Sequence, residues 1–124
     1  MSDARKSLCR EIHARFGYTD EQRKALRRLL QYTILKVPEF GRWYLHNSNE
    51  LTDRLIAAKA DWSYIKGLND AAVMLMEVGQ KDAAVYFYAY FVMKLADQYM
   101  PEWCDNQDAM AGRIRLTALL EASK

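Results

Sequence analysis

The chain has 124 residues, 51% of them hydrophobic and 27% charged, with a formal net charge of +2. That size makes one domain, 1–124, with a core of its own; the hydrophobic share excludes a disordered chain, and five glycines with two prolines are too few turn residues for an all-β sandwich. An all-α domain is expected.

Two cysteines, Cys9 and Cys104, form no paired-spacing motif, which argues against a disulfide scaffold. The opening Ser2-Asp3-Ala4-Arg5-Lys6 is polar, unlike a signal peptide. The longest uncharged apolar run, 83–93, falls short of the ~20 residues that cross a bilayer. A cytoplasmic protein without membrane association is expected. Charge is unevenly placed: residues 1–60 carry 12 Lys/Arg against 7 Asp/Glu, residues 61–124 carry 6 against 9.

Taken in order, Asp3 to Phe16 reads as a helix with Leu8, Ile12 and Phe16 inward, and Gly17 stops it. Thr19-Asp20-Glu21-Gln22 is a capping box opening a second helix, Asp20 to Lys36, with Leu26, Leu29, Leu30, Thr33 and Ile34 inward. Pro38 ends it. Phe40, Trp43 and Tyr44, at i, i+3, i+4, predict a short helix; Asn47-Ser48-Asn49 reads as a break, and a further helix runs from Glu50 to Ala60. Tyr64 to Val78 follows, closed by Gly79.

The central element runs from Lys81 or Asp82 to Met100 and contains Ala83 to Met93, a stretch with five aromatic rings and no charge. Phe87, Phe91 and Leu95 form its expected inward stripe, with Phe91 packed on the Tyr64–Val78 helix; Tyr86 and Tyr90 form a second stripe. Pro101 breaks the chain, Asp105 to Asp108 restarts it, and a last helix to Ala122 offers Met110, Ile114, Thr117, Leu119 and Leu120. The whole is a compact bundle of six to seven antiparallel helices. Within it, Gly79, Ala84 and Tyr88 stand where a tetratricopeptide-type hairpin has its turn glycine, small packing residue and aromatic. Residues 64–99 resemble one such hairpin, while Leu68, Ala72 and Leu75 depart from that family's usual Trp, Gly and Tyr.

No catalytic set is legible. Cys9 and His13 share one side of the first helix, but a zinc site wants four ligands and a nucleophile pair wants an orienting acid. Arg42 and His46 resemble the Arg/His pairs of helical ribonucleases at a shorter spacing. The chain is therefore read as a non-enzyme with no metal or cofactor. What remains is aromatic and basic: three Trp, eight Tyr and four Phe, and a layer of cations on the first two helices. This points to a protein–protein interaction module of the adaptor, inhibitor, immunity or chaperone type. Tyr86, Tyr90 and Met93 would contact the partner, with Arg23, Arg27 and Arg28 as an electrostatic docking surface. A homodimer is the simplest use of the aromatic face. The alternative is nucleic-acid binding by basic helices 3–16 and 20–36, against which Asp20 and Glu21 stand where phosphates would approach.

Overall fold

A computed structural model describes residues 8–102 and 107–122, and every regular element among them is helical. Six α-helices follow one another: α1 Leu8–Phe16, α2 Asp20–Lys36, α3 Pro38–Ala57, α4 Trp62–Glu77, α5 Lys81–Tyr99 and α6 Gln107–Ala122. The expected first turn at Asp3 to Ser7 lies outside the described residues, as do Trp103 and Cys104.

The helix ends follow from local chemistry. Thr19 Oγ1 accepts from Gln22 N–H at 3.1 Å and Gln22 Oε1 accepts from Thr19 N–H at 2.9 Å, the reciprocal capping box. Gly17 and Gly79 take the left-handed backbone that ends α1 and α4, at φ 67° and 85°. Asp61 caps α4, its carboxylate accepting from Tyr64 N–H. Val37 alone separates α2 from α3, and Pro38 then sits at the first helical position, where its missing N–H is harmless.

The two short helices expected at 39–46 and 50–60 are one continuous α3. Asn47-Ser48-Asn49 does not break it: the Asn47 side chain bonds within the helix and the Ser48 side chain bonds to a neighbour. Asn47 Nδ2 donates to the Trp43 carbonyl at 2.9 Å, Thr52 Oγ1 donates to the Ser48 carbonyl at 2.8 Å, and buried Ser48 Oγ accepts from Leu8 N–H at 3.3 Å.

Helices α3 and α5 organise the core, α3 packing on α1, α2, α5 and α6 and α5 on α2, α3, α4 and α6. A run of aromatic rings joins them. Phe40 stacks on Tyr44 at 5.7 Å, Tyr44 meets Tyr88 edge-on at 6.2 Å, and Tyr88 meets Phe91 edge-on at 5.2 Å. The hydroxyls of Tyr44 and Tyr88 bond to each other at 2.9 Å, so the polar tips are met inside the core.

Two inward stripes differ from expectation. The deepest face of α5 is Val85, Tyr88, Ala89, Val92 and Ala96; Phe91 and Leu95 are buried beside it, and Phe87 is half-buried at its edge. On α6, Leu116 and Gly112 face inward while Met110 and Ile114 are exposed. A Cβ at Gly112 would stand 3.3 Å from the Phe40 backbone nitrogen, so this glycine sets how closely α6 lies on α3. Phe16, at the end of α1, is also exposed rather than inward. No helix of the described residues is long and apolar enough to cross a membrane.

Candidate functional site

The outer face of α5 carries a ridge. Its side chains at Tyr86, Tyr90 and Lys94 are spaced by four residues and line up along the helix. The rings of Tyr86 and Tyr90 lie 5.8 Å apart, and Lys94 Nζ stands 5.5 Å over the Tyr90 ring. Tyr90 is 46% exposed, although it sits inside an uncharged run.

A groove flanks the ridge on each side. Between α4 and α5 lies an apolar groove of about 370 Å³, walled by Tyr64 and Leu68 on α4 and by Phe87, Phe91 and Leu95 on α5. Between α5 and α6 lies a more polar one of about 210 Å³, closed by Leu116, Thr117 and the Asp97–Arg113 ion pair. Tyr90 and Lys94 border both. Met93, expected on the partner-binding face, is only 5% exposed: it lies on the floor of the second groove, beneath α6. Tyr64, 63% exposed, is the groove residue that the sequence reading missed; its i, i+4 spacing with Leu68 was the available signal.

The basic residues form a second, separate feature. Arg23 and Arg27 on α2 line a hollow of about 280 Å³ with Arg10 and His13 of α1 and with Tyr18; Leu26 and Leu30 complete it. Arg28 is exposed and does not line it. Tyr18 is fixed from behind: its hydroxyl donates to the Asp70 carboxylate at 2.8 Å and accepts from Asn69 Nδ2 at 2.7 Å. Asp70 in turn pairs with Lys66 at 2.5 Å. The Tyr18 N–H donates to His13 Nδ1 at 3.1 Å. A backbone N–H can only donate, so Nδ1 is unprotonated and the ring proton is on Nε2. No residue lines both this hollow and either groove, so these basic and aromatic residues border different depressions.

The remaining candidates stand apart. Arg42 and His46 are exposed, one turn apart on α3. The side chain of Cys9 lies outside the described residues, so its pairing with His13 does too. Among the described residues no three His, Cys, Asp or Glu side chains gather in a way that could hold a metal ion. Glu39 is a carboxylate held far below its ordinary range: its oxygens accept from Arg115 at 2.7 and 2.9 Å, and those bonds hold its pKa at about 2 and clamp α3 to α6.

No protein-family model, curated protein or solved structure matches this chain.

Proposed function

We propose that this chain is a helical protein-binding module that receives an amphipathic, acid-flanked helix of a partner protein in the groove between α4 and α5. The observation that carries the reading is Tyr90, a large aromatic side chain left 46% exposed on the rim of that groove. Tyrosines of this kind act as binding anchors because they bury much area with few rotatable bonds.

The shape of the groove supports a helix as occupant. Its α5 wall runs from Phe87 to Gln98, about 16 Å at ~1.5 Å per residue, which matches two to three turns of an incoming helix with apolar anchors at i, i+4 and i+7. Charge supports an acidic flank: the lining residues include one cation, Lys94, and no acid. The tetratricopeptide-like resemblance of 64–99 belongs to this reading too, since α4 and α5 form the hairpin that builds the groove. The module is not an enzyme in this reading.

The test compares affinity purification on the wild-type chain with Tyr90→Ala and Tyr64→Glu, both on exposed positions and both checked to melt near the wild-type temperature. A partner held by wild type and released by both variants, its contact mapping to an amphipathic acidic helix, supports the proposal. A partner retained by both variants overturns it. A concentration-dependent dimer in sedimentation that Tyr90→Ala dissolves replaces the partner helix with a second copy.

Nucleic acid on α1 and α2 is the lesser reading. The convergence of Arg23 and Arg27 favours an anion there, but Asp20 and Glu21 occupy the start of α2. Affinity for a generic duplex or single strand that falls steeply with added salt would establish it.

A further inference from the structure

The hollow between α1 and α2 has a chemistry of its own, independent of the groove just described. We propose that it binds a phosphate monoester with a small apolar body. The phosphoryl oxygens accept from the guanidinium groups around the hollow and from His13 Nε2–H, while the body lies on Leu26 and Leu30.

Four observations converge. The polar groups lining the hollow are donors or cations, with Arg10, His13, Arg23 and Arg27 present and no carboxylate among them. Guanidinium forks match the tetrahedral oxygens of a phosphate and stay charged at any physiological pH. Arg23 pairs with Asp20 at 4.0 Å, an acid 89% exposed, in a contact too solvated to neutralise it.

The site is also held ready. Tyr18 N–H fixes the His13 tautomer, and Asp70 and Asn69 fix the Tyr18 ring, so two of the walls need little ordering when a ligand enters. An apolar floor stands beside the cations, since Leu26 and Tyr18 are 5% and 6% exposed and Leu30 is half-buried. Size limits the ligand: about 280 Å³ takes a phosphoryl group with one ring or a short chain, below the ~300–1,000 Å³ of sites for larger ligands. A dianion with three terminal oxygens suits this many donors better than a single carboxylate does. The ester could be a free small molecule or a phosphorylated side chain, and the chemistry recognised is the same.

The test is an amide NMR titration of the full chain with phenyl phosphate, inorganic phosphate, benzoate and N-acetyl-phosphotyrosine amide. Phenyl phosphate is expected to give saturable shifts centred on Tyr18, Arg23, Leu26 and Arg27. It should bind about tenfold more tightly than inorganic phosphate, the gain from taking a ring out of water. Arg27→Gln should weaken it about tenfold, as losing a charged hydrogen bond does. Arg23→Gln is the second variant should Arg27→Gln fail to fold. Tyr90→Ala should leave the titration unchanged, which separates this site from the groove.

Tighter binding of phosphotyrosine amide than of phenyl phosphate places the ester on a partner protein, and the reverse order makes it a free metabolite; either supports the site. Shifts that do not saturate and spread over every arginine-bearing face overturn it. So does benzoate binding as well as phenyl phosphate, or displacement by a short oligonucleotide with a steep salt dependence.

Discussion

Tyr88, Tyr90 and Phe91 are neighbours in sequence with different duties. Tyr88 is wholly buried between Tyr44 and Phe91, Phe91 is 5% exposed, and Tyr90 points out between two grooves. Tyr88→Ala and Phe91→Ala should each cost ~3–5 kcal/mol in urea or thermal unfolding, the range for emptying a buried aromatic site. Tyr90→Ala should cost under ~1 kcal/mol, as a substitution on an exposed position does. Were Tyr90→Ala as damaging as Phe91→Ala, the ridge would be core and the binding surface would lie elsewhere. The sequence identified this run as the centre of the molecule because it lacks charge, but not which residue faces where. Apolar on every side, Ala83 to Met93 has no polar stripe to mark the outward face, so the inward stripe read from spacing omits Tyr88 and leaves Met93 on the surface, whereas both are buried. Burial was legible here; orientation depends on where α3 and α6 lie, and no residue of α5 records that.

At the scale of elements, two helix-interior glycines should respond oppositely to the same change. Gly67 in α4 has open space around its missing Cβ, so Gly67→Ala should stabilise by ~0.5–1 kcal/mol through helix propensity alone. Gly41 in α3 faces α2, where a Cβ would lie 3.0 Å from Ile34 Cγ2 and 3.2 Å from its Cα. Backbone cannot step aside as a side chain can, so Gly41→Ala should lower the melting temperature where Gly67→Ala raises it. The boundaries of α2 were legible, because the Thr19–Gln22 box and Pro38 are local signals. The continuity of α3 was not, because Asn47-Ser48-Asn49 resembles a loop until the bonds of Asn47 to Trp43 and of Ser48 to Leu8 are seen. The Glu39–Arg115 clamp between α3 and α6 gives a pH signature. Its folded pKa is lowered from 4.5 to about 2, so its contribution is full above the unfolded value and is lost as pH falls from 4.5 through 2. Glu39→Gln should remove that part of the acid dependence of unfolding, measured by denaturant titration at several pH values.

For the whole molecule the consequential fact is separation. The sequence shows a basic first half and an acidic second half, and a cluster of aromatics; it cannot show that the cations of α2 and the tyrosines of α5 line different depressions, because that follows from how α2 packs against α4 and α5. If both served one partner as a single patch, charge reversal and aromatic truncation would both speed its release. With separate features, long-range charge acts on the approach and short-range packing acts on the departure. For a partner docked on the ridge, Arg27→Glu with Arg28→Glu should therefore slow association at low salt, leave dissociation nearly unchanged, and lose its effect as ionic strength rises past the point where the screening length falls to about 8 Å. Tyr90→Ala should instead speed dissociation at every salt concentration. Combining the changes should give additive free energies within ~0.5 kcal/mol, as distant sites do. Surface-plasmon kinetics across a salt series makes the comparison. Faster dissociation caused by the arginine reversals would join the two features into one interface and reject their separation.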